Sequence, residues 1–216
     1  ETRFSLLTKT HPEAAERSVT AFAAEMRRVE RLGIPMLVTH PGACLDGERR
    51  AGLERYASRL DRAIALSATW TVRVLLENTA GQGTVLGASF AEIGTVLGLS
   101  GQADRLGLCL DTCHAFAAGY DLSQDTGYAS MRRELEAEVG LERLGFMHLN
   151  DSVHDLGSRK DRHADIGAGA IGLRGFELIL NDPGLAAVPK VIETPKDKGP
   201  ESDRLNLGVL RGLIRA

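Results

Sequence analysis

The stretch Leu108-Cys109-Leu110-Asp111-Thr112-Cys113-His114 decides how the rest of this chain is interpreted. Its apolar run ends abruptly at Asp111, and His114 follows three residues later. A buried strand that ends in this way places a carboxylate and an imidazole, both able to ligate a metal, at its carboxyl end. The same event, a short apolar run that finishes on a metal-ligating residue type, recurs at four further positions: His40, Glu77, His148 and Glu193.

Helical periodicity and short apolar runs alternate along the chain. The apolar runs predict strands at 34–39, 72–76, 106–111, 144–149 and 188–193. The periodic segments predict helices at 12–31, 48–67, 89–99, 126–139, 174–181 and 201–214. We expect a loop after Asp111 that carries Phe116 and Tyr120, and a long polar loop over 150–172, a length that is usually functional or disordered.

Alternating strands and helices predict parallel βα units, as a doubly wound sheet or a TIM barrel. In both folds function sits at the carboxyl ends of the strands. A barrel makes the convergence of five strand-end ligands natural, because its strand ends form a ring. Five units cannot close a barrel of eight strands, which usually needs about 250 residues. We therefore expect one domain over 1–216, a TIM-barrel-type α/β fold that is incomplete at its N-terminal side.

The bulk properties exclude several classes of protein. The formal net charge of −3 is not that of a general polyanion binder, so any DNA contact needs a local basic patch. No apolar run approaches the roughly 18 residues of a membrane span, and the N-terminus lacks a signal-peptide pattern. The three cysteines are too sparse for a disulfide framework, so we expect reduced thiols and a cytoplasmic location.

The potential metal ligands are mixed imidazoles and carboxylates, a set that suits zinc, manganese or cobalt better than calcium or magnesium. There are eight of them: His40, Glu77, Asp111, His114, His148, Asp161, His163 and Glu193. One ion takes about four or five ligands, so this set predicts two or three ions that share a bridging carboxylate. Clustered ions are the usual means of hydrolysing a phosphodiester.

Four motifs together resemble the endonuclease IV family of apurinic/apyrimidinic endonucleases. They are Glu77-Asn78-Thr79-Ala80-Gly81-Gln82-Gly83, Cys109–Asp121 (CLDTCHAFAAGYD), His148–Ser152 (HLNDS) and Ser158–Gly172 (SRKDRHADIGAGAIG). The resemblance implies a TIM barrel with three zinc ions. It also implies cleavage of double-stranded DNA on the 5′ side of an abasic site, leaving a 3′ hydroxyl. We expect a monomer that associates with the nucleoid during repair, with manganese as an alternative metal.

Carried over motif by motif, the resemblance assigns each candidate ligand to an ion. Glu77 would bridge the first and second ions, and His40 would serve the first. The second ion would be completed by Asp111, His148 and Glu193, and the third would be held by His114, Asp161 and His163. Glu193 and Glu77 are the implied catalytic residues, with Glu193 orienting or deprotonating the attacking hydroxide. Arg159, Lys160 and Arg162 could contact phosphates or form an ordinary solvated face.

The chain departs from the family pattern at its beginning. The first ion should have a second histidine on the strand before the 12–31 helix, and Glu1–Leu7 contains no histidine. We therefore expect a family member that lacks its N-terminal quarter, with two or three ions retained. Asp151 and Asp165 are interpreted as loop caps rather than ligands.

Two other functions remain open at this point. A sugar isomerase or epimerase of the xylose-isomerase-like barrels holds a single ion, and Glu77, Asp111, His148 and Glu193 could be its ligands. That alternative does not explain the four further ligands, His40, His114, Asp161 and His163. An inactive zinc-binding fragment is the non-enzymatic alternative.

Overall fold

The computed structural model describes residues 12–197 and 199–215. Its helices are α1 (Pro12–Arg31), α2 (Arg49–Ser67), α3 (Phe90–Leu99), α4 (Thr112–Ala118), α5 (Asp125–Glu138), α6 (Gly172–Leu180) and α7 (Pro200–Gly212). Its strands are β1 (Met36–Thr39), β2 (Arg73–Glu77), β3 (Leu106–Asp111), β4 (Leu144–His148), β5 (Asp151–Ser152), β6 (His163–Ala164) and β7 (Lys190–Val191). No helix in these ranges has the length and hydropathy that crossing a membrane requires.

Five strands form one parallel sheet in the order β1-β2-β3-β4-β7. Each large helix packs on the next one along the chain, α1 on α2, α2 on α3, α3 on α5, α5 on α6 and α6 on α7. A doubly wound sheet would divide its helices between two faces, whereas a barrel keeps them in one outer row. The order of strands and helices is therefore that of a TIM barrel. Within the described residues β1 and β7 remain edge strands, as expected of an incomplete barrel.

The core lies between the sheet and the row of helices. All six residues of β3 are buried, which fits a strand covered on both faces. On α1 the predicted apolar stripe is buried and includes Phe22, which is fully inaccessible. Tyr56, Phe90 and Phe176 fill the corresponding positions beneath α2, α3 and α6.

The prediction of a loop directly after Asp111 is wrong, because residues 112–118 form α4. Six of its seven residues are buried, so the segment has no polar face and no helical periodicity for the sequence to reveal. Asp111 is its N-cap, since a carboxylate oxygen accepts the backbone N–H of His114 at 2.8 Å. Gly119 ends the helix in a left-handed conformation with φ of 116°.

The predicted long loop over 150–172 is wrong in part, because β5 and β6 pair in it as an antiparallel hairpin. Asp151 is a loop cap, as interpreted from the sequence, and not one of the grouped ligand candidates. Its buried carboxylate accepts five backbone N–H groups, those of Ser152, Gly167, Gly169, Ile171 and Gly172. These bonds fold the glycine-rich segment back to the start of α6, where the helix dipole favours the negative charge.

Candidate metal centre

Neighbouring strands bring candidate ligands side by side at the carboxyl edge of the sheet. Asp111 and His148 are direct partners in the pairing of β3 with β4. Glu77 ends β2, and His40 directly follows β1. Glu77, Asp111 and His148 are buried, with 4%, 0% and 7% of their surfaces exposed.

Glu77 lies at the centre of three imidazoles. Its Oε2 is 2.9 Å from His40 Nε2, and its Oε1 is 3.0 Å from His148 Nδ1 and 3.4 Å from His114 Nδ1. Burial raises the pKa of Glu77, but hydrogen bonds from the three histidines more than offset this and hold that pKa below its ordinary value. Glu77 therefore stays ionised and can serve as a bridging ligand.

The hairpin adds Asp161 and His163 to His114, which α4 supplies. Asp161 Oδ2 is 3.2 Å from His114 Nε2, and Asp161 Oδ1 is 3.3 Å from His163 Nε2. Hydrogen bonds from both histidines lower the pKa of Asp161. Burial lowers the pKa of His163, but Asp161 and Asp111 outweigh this and raise it to about 9.

Glu193 reaches the centre from the segment that follows β7. Its Oε2 is 3.3 Å from His148 Nδ1, and its side chain is 45% exposed. Burial raises the pKa of Glu193, and the neighbouring charges of Glu77 and Asp111 raise it further. Glu193 is therefore better suited to take up a proton than Glu77 or Asp161, whose pKa values are lowered.

The candidate ligand atoms form overlapping groups in which all atoms lie within 4.8 Å of one another. The groups are His40, Glu77 and His114; Glu77, Asp111, His148 and Glu193; and His114, Asp161 and His163. All eight residues singled out from the sequence are thus brought together. A further combination joins Cys113 to Asp111 and His163, and Cys113 was not among the expected ligands. The stretch Glu1–Leu7, where the resemblance implies a second histidine for the first ion and the sequence has none, lies outside the described residues.

Two backbone contacts indicate that a cation fits this cluster. His114 Nδ1 lies 3.0 Å from the carbonyl oxygen of Asn78, and His163 Nδ1 lies 3.0 Å from that of Glu193. Each Nδ1 must therefore carry the proton and donate it, which turns Nε2 toward Asp161. An Nε2 lone pair facing a carboxylate oxygen at this distance requires a proton or a metal ion between them. The imidazole and carboxylate donors are those that zinc accepts.

Sequence reasoning missed two asparagines that hold Asp111. Asn78 Oδ1 accepts the backbone N–H of Asp111 at 2.7 Å, and its Nδ2 donates to the carbonyl of Asp111 at 3.1 Å. Asn150 Nδ2 donates to Asp111 Oδ2 at 2.6 Å. Asn78 directly follows Glu77, and Asn150 lies two residues after His148. These positions just beyond strand-end ligands are the signal that could have identified the two asparagines.

The three basic residues singled out from the sequence lie on the hairpin, at the rim of the cluster. Arg162 lines a cavity of about 580 Å³ that also contains the candidate ligands. Arg159 lines a neighbouring groove of about 500 Å³ together with Gly81 and Tyr120, and Lys160 is exposed. The loop 79–85 lies between the two spaces and contributes residues to both.

Comparison with known proteins agrees with the fold. Residues 4–212 match the family described as the xylose isomerase-like TIM barrel. The chain is 52% identical to the probable endonuclease 4 of Oleidesulfovibrio alaskensis, over 94% of this chain and 69% of that protein. The corresponding protein of Chloroflexus aggregans is 50% identical over 93% of this chain and 70% of its own length. The chain belongs to the endonuclease IV family.

Solved structures extend this assignment. Endonuclease IV from Thermus thermophilus superposes with a TM-score of 0.84 at 36% identity, covering 97% of this chain and 72% of that one. A D-tagatose 3-epimerase-like protein superposes with a TM-score of 0.72 at 19% identity, covering 96% of this chain and 73% of that one. At that identity the second likeness concerns the fold alone. The endonuclease IV family and the incomplete TIM barrel predicted from the sequence are both confirmed.

Proposed function

We propose that this chain hydrolyses the phosphodiester on the 5′ side of an abasic site in double-stranded DNA, at a centre of two or three zinc ions. The carrying observation is the set of three overlapping imidazole and carboxylate groups, two of which share Glu77. A single-ion isomerase would use only the group of Glu77, Asp111, His148 and Glu193. It would leave the group of His114, Asp161 and His163 without a role.

The bound ions, the buried carboxylates and Glu193 would have different roles in the hydrolysis. Bound ions would supply a hydroxide from water and neutralise charge on the phosphate. Glu77 and Asp111, which are buried, fix the positions of the ligands at the strand ends. Glu193 is the most exposed of the cluster carboxylates and has a raised pKa, so it orients the attacking water and accepts its proton at a carboxylate oxygen.

We assign the DNA contact to the rim of the hairpin. Arg159, Lys160 and Arg162 flank Asp161 and His163 in sequence, and Arg162 lines the cavity that contains the candidate ligands. The net charge of −3 gives no general attraction to DNA, and these residues would supply the local basic patch.

The test is an incision assay on an end-labelled duplex that contains one stable abasic analogue, with the undamaged duplex as control. We expect a nick on the 5′ side whose 3′ end a polymerase can extend, and loss of incision after chelation with recovery on adding zinc or manganese. A zinc-loaded, folded chain that leaves the abasic duplex intact would overturn the proposal and favour the inactive fragment.

A single substitution separates the third ligand group from general damage to the hairpin. His163→Ala removes a ligand of that group, and we expect incision to be abolished. His154→Ala is the matched control, because His154 lies on the same hairpin and belongs to none of the ligand groups. Incision by His163→Ala at the rate of the unmodified chain would refute the assignment of this group.

Metal content gives an independent measure, by elemental analysis of the chain after gel filtration. About three zinc ions per chain would mean that all three groups are filled, and two would mean that the first group stays empty. One ion would favour the isomerase alternative, and none in a folded chain would exclude the metal centre.

A further inference from the structure

Asn150 occupies a buried position that joins two parts of the centre. It has no exposed surface, and its side chain contacts Asp111 on β3 and the backbone of Glu193 beyond β7. Nδ2 donates to Asp111 Oδ2 at 2.6 Å, and Oδ1 accepts the N–H of Glu193 at 2.7 Å. Asp111 offers only an acceptor and the N–H of Glu193 only a donor, so the amide fits in one orientation.

The backbone of Asn150 is fixed as firmly as its side chain. The hydroxyl of Thr112 accepts the N–H of Asn150 at 2.8 Å and donates to its carbonyl oxygen at 2.6 Å. Thr112 directly follows Asp111 in the chain. The segment after β4 is therefore hydrogen-bonded to the end of β3 in two ways, through the hydroxyl of Thr112 and through the side-chain amide of Asn150.

Glu193 lies beyond the backbone ladder of the sheet, because β7 ends at Val191. Its N–H instead donates to Asn150, and its carbonyl accepts His163 Nδ1 at 3.0 Å. The backbone of Glu193 thus connects Asn150, which contacts the second ligand group, with His163 of the third group. A shift of Asn150 would move Glu193 and loosen the contact that orients the His163 ring.

We propose that Asn150 is a positioning residue that couples the second and third ligand groups by tying Asp111 to the backbone of Glu193. The inference rests on the metal centre advanced under Proposed function. It assigns Asn150 no contact with DNA, because a side chain without exposed surface cannot reach the substrate. Loss of the amide should therefore change metal affinity and the rate of the chemical step, while KM for the duplex stays the same.

The test uses Asn150→Asp, which preserves volume and the acceptor for Glu193 but places a carboxylate oxygen against Asp111. Zinc is titrated into the metal-free chain in competition with a chromophoric chelator, and incision is measured separately. We expect zinc affinity to fall by about 10- to 100-fold, the range typical of lost partners of metal ligands. We expect kcat to fall by a similar factor and KM to stay constant.

Asn206 provides a chemically matched control. It is also buried, its Nδ2 donates to Asp165 Oδ1 at 2.8 Å, and its Oδ1 accepts the N–H of Ile166 at 2.7 Å. Asn206→Asp therefore creates the same pair of carboxylates away from the ligand groups. We expect it to lower the Tm and leave zinc affinity unchanged.

A second pair of variants keeps the test decisive if Asn150→Asp fails to fold. Thr112→Val removes the hydroxyl that fastens the backbone of Asn150 and nearly preserves volume, whereas Thr112→Ser retains the hydroxyl. We expect weaker zinc binding in the first and full recovery in the second. Zinc affinity in Asn150→Asp, or in Thr112→Val, within threefold of the unmodified chain would overturn the inference. Failure of the unmodified chain to incise DNA would overturn the proposed function, and the zinc titration would still decide the role of Asn150.

Discussion

The ligands borne by strands and those borne by loops are held in different ways. The side chains of Glu77 and Asp111, at the ends of β2 and β3, are 5% and 0% exposed. The side chains of Asp161 on the hairpin and Glu193 after β7 are 39% and 45% exposed. The difference indicates that the centre has two halves. The strand-borne half is part of the buried core, and the loop-borne half lies on the surface of that core.

The supports of the two halves differ accordingly. The backbone ladder of the parallel sheet places the strand ends, and its register is fixed by burial on both faces. The hairpin has only two-residue strands, and it docks on α4 through bonds from Gly157 to Phe116 and from Arg159 to Ala117, at 3.1 Å and 2.9 Å. The glycine-rich segment that follows the hairpin is held by hydrogen bonds to the carboxylate of Asp151. The outer half of the centre therefore depends on a few buried polar groups.

The largest effect should come from the strand-borne half. Glu77→Gln removes the charge that two ligand groups share and leaves the volume unchanged. We expect kcat for incision to fall by more than the roughly 100-fold typical of a lost outer partner, because a ligand is lost. Elemental analysis should show fewer zinc ions per chain, and circular dichroism should remain unchanged.

Glu54→Gln is the control for that substitution. Glu54 lies exposed on α2 and pairs with Arg50 at 2.9 Å, far along the chain from any strand end. We expect its kcat and zinc content to equal those of the unmodified chain. Glu77→Gln with full zinc content would mean that the strand-borne half does not hold the ions.

A smaller effect, confined to the loop-borne half, should follow from Asp151→Asn. One oxygen would still accept backbone N–H groups, but the new amide would face the N–H groups that the other oxygen accepted, those of Gly167 and Gly169. We expect the free energy of unfolding to fall by about 3 kcal/mol, since bonds to a buried charged acceptor are lost. Denaturant unfolding measures this loss.

Zinc content tests whether the effect of Asp151→Asn is confined to the loop-borne half of the centre. We expect Asp151→Asn to lose the ion of the third group first, and Asp125→Asn, an exposed change in a surface ion pair with Arg174, to lose none. Equal loss from all groups would contradict the division into two halves.

The same division explains what the sequence could predict. Apolar runs that end in ligand-type residues identified all four strand-end ligands, because strands buried in a parallel sheet carry continuous apolar runs, and the same pattern identified Glu193. Asp161 and His163 end no apolar run, so their residue types alone suggested them as ligands, and the motif resemblance assigned them to the third ion. The helix α4 was missed because Asp111 serves as ligand candidate and N-cap at once, so the residue that ends the strand also begins the helix. Asn150 was missed because its partners are distant in sequence, across three strands.

The smallest effect should come from Arg159 on the hairpin, which belongs to none of the ligand groups. Its backbone is left-handed, with φ of 55°, a conformation that is unfavourable for a residue with a side chain. If its guanidinium contacts a DNA phosphate, Arg159→Ala should weaken binding uniformly across sequences. We expect the slope of log affinity against log salt to fall by about 1, measured by fluorescence anisotropy.

Arg159→Gly separates the charge from the backbone. Glycine adopts the left-handed conformation freely, so we expect this variant to be about 1 kcal/mol more stable than Arg159→Ala and to show the same reduced salt slope. Arg204→Ala, on α7, removes an exposed arginine outside the rim and should leave the slope unchanged. An unchanged slope in both Arg159 variants would mean that this arginine is part of a solvated face. The strained backbone at this position would then serve the docking of the hairpin on α4 and not the DNA.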